Sequence, residues 1–133
     1  MATRYLLDSN ICVYLLRDKK GICDHIRKVR WGNCCISEIT IIELLYGAEC
    51  SNAVEANKQE VRQLCADLKV IPVSAAIEEF AHQKARLRKE GKLIDDFDLL
   101  IGCTAKVSHC VLVTENIKHL ERVEGLEIEN WVR

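Results

Sequence analysis

Short apolar runs separated by longer stretches of helical spacing recur along this chain, and that alternation restricts its fold more than any other feature. Arg4–Leu7, Cys34–Ile36, Val70–Val73, Cys110–Val113 and Leu126–Ile128 read as strands. The stretches between them predict helices over Asn10–Arg17, Lys20–Trp31, Glu38 to about Glu49, Ala53–Leu68, Ser74–Arg88, Phe97–Val107 and Ile117–Leu120. Ser37, Ser74 and either Asp95 or Asp96 are placed to cap three of them, and Gly91 to end the fifth. Strand and helix alternating throughout imply an α/β domain: a three-layer α/β/α sandwich around a mainly parallel sheet of four to five strands. Its 133 residues fit one domain with one core, and Trp131 is expected to close the end.

Against that scaffold, four acidic positions stand out: Asp8 after RYLL, Glu43 in ITIIELLYG, Asp98 in DDFDLLIG, and Glu115-Asn116 after VLVT. An ionised acid beside a core is retained when it pairs with a cation or binds a metal. No Lys or Arg lies within four residues of Glu43, and none follows Asp8 before Arg17. Asp8 tops a buried strand at a helix entrance, where it suits both an N-cap and a ligand. Glu43 has Ile39, Thr40, Tyr46 and Gly47 as its helical neighbours, so it either meets a cation or shares a narrow solvent stripe with Thr40. Asp98 lies inside the first turn of a helix that is apolar all round, with Asp95 and Asp96 available as caps. Asp96, Glu115 and Asn116 are further candidate ligands, and Ser9, Asn10 and Thr114 can hydrogen-bond a ligating carboxylate or water.

Carboxylates with four scattered histidines and no patterned cysteines suit Mg²⁺ or Mn²⁺ rather than Zn²⁺. Acid clusters holding such ions carry out in-line phosphoryl displacement. The eight cysteines form no CxxC pair and read as small core hydrophobes. Net charge is only −1, which excludes a broadly cationic nucleic-acid binder, but the basic residues cluster. Arg17, Lys19 and Lys20 open one basic segment, and Lys84, Arg86, Arg88, Lys89 and Lys92 form another. Arg17, Lys19, Lys20, Arg86 and Arg88 are the candidate contacts to an RNA backbone. No apolar run is long enough to span a membrane, and the first residues lead straight into a strand, so a cytoplasmic location without a signal peptide is expected.

The ordered motifs YLLDSN, SEITIIELLYGAE, GKLIDDFDLLIGCTA and VLVTEN, followed by KHLERVEGLEIENW, resemble the PIN-domain ribonucleases, and among them the VapC toxins of bacterial toxin–antitoxin pairs. The resemblance covers essentially the whole chain, 1–133, as a single nuclease domain. It implies that Asp8, Glu43 within T-x-x-E-L-x-Y-G, and Asp98 within D-x-L-I are the catalytic, metal-holding acids. It also implies Mg²⁺- or Mn²⁺-dependent hydrolysis of RNA, with metal-activated water attacking the phosphate and leaving 5′-phosphate and 3′-hydroxyl ends. Many members carry a fourth acid two residues after the strand-end threonine; this chain has Asn116 there, with Glu115 beside it. A homodimer inhibited by a small cognate antitoxin is the implied assembly, with Tyr14, Leu15 and the helix near residues 53–68 as the expected partner-facing surface.

Two other Mg²⁺-binding folds fit less well. A receiver-like domain needs an early acidic pair and an Asp after its middle strand, where this chain has Ser74. A haloacid-dehalogenase-type phosphatase needs an acid where Asn10 stands. The alternative within the family is a catalytically degenerate PIN domain that binds RNA or protein, which Asn116 alone favours.

Overall fold

Leu6 and Leu7 are adjacent, wholly buried, and belong to different hydrophobic clusters, which is the two-residue period of a strand covered on both faces. They lie in β1 (Arg4–Leu7), the middle strand of a five-stranded sheet ordered β3-β2-β1-β4-β5. β2 (Cys34–Ser37), β3 (Lys69–Ile71), β4 (Cys110–Val113) and β5 (Ile128–Glu129) complete it, and every pairing is parallel. This computed structural model describes residues 2–133.

The same alternation runs through the neighbouring strands. Cys35 and Leu112 join Leu6 in one cluster, while Cys34, Ile36 and Val113 join Leu7 in the other. The Leu7 face is covered by α1 (Ser9–Leu16), α2 (Ile22–Val29) and α4 (Val54–Asp67), through Ile11, Ile22, Ile26, Val61 and Leu64. The Leu6 face receives Leu87 of α5 (Ile77–Lys89), Leu99, Ile101 and Cys103 of α6 (Asp96–Val107), and Leu120 of α7 (Ile117–Leu120). Helix α3 (Glu38–Glu49) divides itself, sending Ile39 to one cluster and Leu44 to the other. Each such wholly buried aliphatic side chain contributes about 1.5–3 kcal/mol, so both helical layers are needed to hold the sheet.

The expected sandwich is therefore present, with five strands and no antiparallel member among the described residues. Several boundaries move for local reasons. The helix expected over Lys20–Trp31 shortens to Ile22–Val29 because Lys20, Gly21 and Arg30 all have positive φ. Pro72 ends β3 early, and a short 3-10 turn over Val73–Ala76 replaces the Ser74 cap before α5. Asp95, not Asp96, caps α6, its carboxylate accepting from Phe97 N and Asp98 N. The last strand is Ile128–Glu129 rather than Leu126–Ile128. Trp131 closes the end as expected, stacked on His25 with ring centroids 4.0 Å apart and tilted against Tyr5.

All eight cysteines are free, and five of them (Cys12, Cys34, Cys35, Cys103 and Cys110) are buried. Burial pushes the Cys34 and Cys103 thiols up to about 12, so they serve as core hydrophobes.

Gly102 marks the tightest contact between α6 and the segment after β4. A Cβ there would stand 2.9 Å from Leu120 Cδ1 and 3.1 Å from Val123 Cγ2, both buried side chains. Gly102→Ala is expected to destabilise the protein by about 1–2 kcal/mol through overpacking, read as a lowered urea midpoint at unchanged m-value.

Candidate functional site

The chain runs outward from β1 through β2 to β3, then crosses back to place β4 on the other side of β1. That reversal opens a crevice at the carboxyl ends of β1 and β4, the usual ligand position in an open parallel sheet. Asp8 is the residue after β1, and its backbone N–H donates to Val113 O at 2.9 Å, tying it to the end of β4. Its side chain caps α1, with Oδ1 accepting from Ser9 N at 2.8 Å and Oδ2 accepting from Thr114 Oγ1 at 2.7 Å. Cap and candidate ligand are thus one residue. Asp8 is only 6 % exposed, and burial raises its pKa more than the Thr114 and Ser9 bonds lower it.

Ser9 carries the connection to α3. Its hydroxyl donates to Glu43 Oε1 at 2.6 Å and also lies 3.2 Å from Thr40 Oγ1. Glu43 is half-buried beside a groove of about 270 Å³, which Val13, Arg17, Gly47 and Val61 also line. Apart from its chain neighbours and the backbone of its own helix, no described atom lies within 4 Å of the position a Gly47 Cβ would take, so the backbone is open to a ligand or partner there. A larger hollow of about 830 Å³ lies at the opposite, amino ends of the strands beside Arg4, Lys106 and His109 and holds none of these acids.

Asp98 approaches from the first turn of α6. Asn116 Nδ2 donates to its Oδ2 at 3.3 Å, and Asn116 N donates to Thr114 Oγ1 at 2.9 Å. Burial first, then the charges of Asp8, Asp95 and Glu43, push Asp98 up to about 6, with His119 working the other way. Asp98 therefore senses the acids that follow β1 and lie on α3. Among the described residues none of the three has a Lys or Arg within salt-bridge distance.

The remaining expected residues separate. Glu115 is exposed and accepts from Tyr14 OH, bracing α1 against the loop after β4, so Asn116 rather than Glu115 faces Asp98. Asp96 is paired with Lys84 at 2.9 Å, and Asn10 is exposed. The Arg86 guanidinium is committed to Gln83 Oε1, Glu90 and the Arg122 carbonyl, an internal clamp rather than a free RNA contact. Arg17, Lys19, Lys20 and Arg88 remain exposed. Tyr14 and Leu15 are half-buried, and the large exposed apolar side chains lie elsewhere, with Ile42 and Tyr46 on α3 the most prominent near the site. Sequence reasoning passed over Ser9–Thr40 as a bridge and His119 as a neighbour of Asp98. Only the spacing of Thr40 three residues before Glu43, and of His119 three after Asn116, hints at either.

The donor set, carboxylates supported by hydroxyls and an amide, fits a hard divalent cation. Among the described residues no three His, Cys, Asp or Glu side chains stand as a ready-made chelating group. Glu43 is turned to Ser9 and Asp98 to Asn116, which makes the set open and polar-linked rather than a closed cage.

The model of the PIN domain matches residues 5–126. The chain belongs to the PIN-domain family. This PIN domain is 36% identical over 132 residues to Ribonuclease VapC2 of Haemophilus influenzae, covering 97% of this chain and 98% of the relative. It is 32% identical over 129 residues to the tRNA(fMet)-specific endonuclease VapC of Shigella flexneri, covering 96% and 98%. Its fold superposes on a chain of DNA-bound VapBC from Salmonella typhimurium with a TM-score of 0.89, at 30% identity and 97% and 98% coverage.

Because the Asp98 carboxyl titrates near 6 when folded but near 3.8 in the unfolded chain, its ionisation opposes folding as pH rises through that window. In EDTA, Asp98→Asn is expected to raise Tm at about pH 8, with the gain vanishing by about pH 4. Equal effects at both pH values would show that Asp98 carries no such penalty.

Proposed function

We infer that this PIN domain is an endoribonuclease and the toxin of a VapBC-type toxin–antitoxin pair. The observation that carries this reading is the convergence of Asp8, Glu43 and Asp98 at the carboxyl ends of β1 and β4, with no Lys or Arg within salt-bridge distance of them among the described residues. The named relatives are ribonucleases, and the solved neighbours are complexes with a partner protein, which supports an RNA substrate and a cognate antitoxin. Residues 1–133 are read as one nuclease domain.

Asp8, Glu43 and Asp98 are the proposed catalytic acids and would hold Mg²⁺ or Mn²⁺ through their carboxylate oxygens. When bound, such an ion supplies an activated water and stabilises the leaving oxygen of a phosphodiester. The chain itself does the positioning. Thr114 and Ser9 N fix the Asp8 carboxylate, Ser9 Oγ fixes Glu43, and Asn116 fixes Asp98. Arg17 lines the groove with Glu43 and is the best placed of the proposed backbone contacts; Lys19, Lys20 and Arg88 add positive charge farther along the surface. Ile42 and Tyr46, one turn apart on α3 and 49 % and 72 % exposed, are apolar surface for the antitoxin and for a homodimer. No helix of the described residues is long and apolar enough to cross a membrane, and a cytoplasmic location is part of the same proposal.

Asp8→Asn and Asp98→Asn are each expected to reduce RNA cleavage with Mn²⁺ by at least about a hundredfold while the circular-dichroism spectrum is retained. The wild-type products should carry 5′-phosphate and 3′-hydroxyl ends. Cleavage that survives both substitutions would sink the assignment. Clean wild-type protein inactive on RNA with Mn²⁺ would favour the degenerate binding module, to which the amide at position 116 points.

A further inference from the structure

The turn between α1 and α2, which carries Lys19 and Lys20, has an uncommon backbone, and a segment far away in the chain holds it. Asp18, Lys20 and Gly21 have φ of 52°, 61° and 71°. Asp18 has a local reason. Its N–H donates to Leu15 O at 3.1 Å and that of Lys19 to Tyr14 O at 2.8 Å, the paired bonds that close a helix through one left-handed residue. No bond of that kind accounts for Lys20, whose Cβ makes a left-handed backbone unfavourable. Its carbonyl accepts instead from Arg133 N at 3.1 Å, and the next carbonyl, of Gly21, accepts from Arg133 Nη2 at 3.4 Å. The same nitrogen donates to Asp24 Oδ2 at 3.0 Å in the first turn of α2. A Cβ at Gly21 would fall on the Arg133 guanidinium, so this approach needs a glycine there. We propose that Arg133 is a positioning residue that fixes the turn in the conformation in which Lys19 and Lys20 meet the RNA backbone. This rests on the reading that those two lysines contact RNA.

The ordinary alternative is that the segment after β5 only closes the core on the Leu7 face. Trp131 does that, buried between Tyr5 and His25 with its Nε1 donating to Glu129 Oε1 at 2.8 Å. Arg133 adds nothing to the core, because its side chain is 65 % exposed and its donors all go to the turn and to Asp24. Trp131 is instead the anchor that brings Arg133 to the turn. Lys19 and Lys20 are exposed and enter no ion pair among the described residues, so their charges are available to a phosphate. Arg17, two residues before Lys19, lines the groove with Glu43, and the turn carries positive charge outward from it. A backbone fixed before binding leaves only the lysine side chains to be ordered by RNA, which lowers the cost of contact.

The test is steady-state cleavage of a labelled mixed-sequence RNA oligonucleotide in Mn²⁺ at several salt concentrations, read as KM and kcat separately. The proteins are the full chain as wild type, Lys19→Ala/Lys20→Ala, Arg133→Ala, Gly21→Ala, and Arg133→Ala combined with the lysine pair. Loss of the two lysines is expected to raise KM by about tenfold at moderate salt and to flatten log KM against log salt by about 1.4, at unchanged kcat. Arg133→Ala and Gly21→Ala are each expected to raise KM by about threefold, again at unchanged kcat. Gly21→Ala is the informative partner, because it displaces Arg133 from the turn while keeping its charge. Added to the lysine pair, Arg133→Ala costs nothing more, since it acts through those residues. Losses that multiply make Arg133 a phosphate contact in its own right and overturn the positioning role, as does wild-type KM in Gly21→Ala. A fall in kcat at unchanged KM, the mark of a smaller folded fraction, overturns it too. Wild-type KM in the lysine pair overturns the RNA-contact reading of the turn and this inference with it, while the acids' role stands.

Discussion

A carboxylate fixed at the end of the central strand is the constraint around which the other polar groups near the crevice are arranged. Asp8 cannot retreat into solvent, because its own backbone N–H is bonded to Val113 O and its side chain is held by Ser9 N and Thr114. Two donors to one carboxylate would ordinarily lower its pKa, yet burial wins and raises it. Bringing Glu43 and Asp98 to the same crevice adds repulsion, felt most by Asp98. Such a site subtracts from stability, and the two aliphatic clusters on either face of the sheet must supply the surplus that tolerates it.

The sequence disclosed the three principal acids for the same reason that they are expensive. Asp8, Glu43 and Asp98 are conspicuous because their neighbours in the chain are apolar and uncharged, and neighbours in the chain are what a sequence shows. The strands were legible too, since Leu6-Leu7 and the Cys110–Val113 run are buried on both faces and carry no polar alternation. What stayed hidden depends on residues far apart. The Thr114–Asp8 bond spans 106 positions and Tyr14–Glu115 spans 101, so nothing local could show that Glu115 turns away while Asn116 turns in. Helix boundaries failed where positive φ at Lys20 and Arg30 interrupted a pattern that was apolar enough to continue.

Clustering of charge along the chain proved a poor guide to clustering in space, and the reason is helical geometry. Lys84, Arg86 and Arg88 are close in sequence, but successive even positions on a helix point about 200° apart around its axis. Lys84 consequently reaches Asp96 at the start of α6, whereas Arg86 is drawn into the network around Gln83, a wholly buried amide that also bonds Glu79. Arg88 is left exposed. That basic run thus divides into an ion pair, a clamp on the segment after α7, and exposed cations, Arg88, Lys89 and Lys92, that enter no ion pair among the described residues.

The same geometry explains why α3 can serve the site and the surface at once. Leu44 and Ala48 are buried, Glu43 and Gly47 line the groove together with them, and Ile42 and Tyr46 look outward, each pair four residues apart. Three pairs in adjacent register place a carboxylate one residue from an exposed apolar stripe on a single rigid element. Any partner that buries Ile42 and Tyr46 therefore lies along the edge of the groove holding Glu43, and access to the acids and coverage of that stripe are coupled by the pitch of one helix.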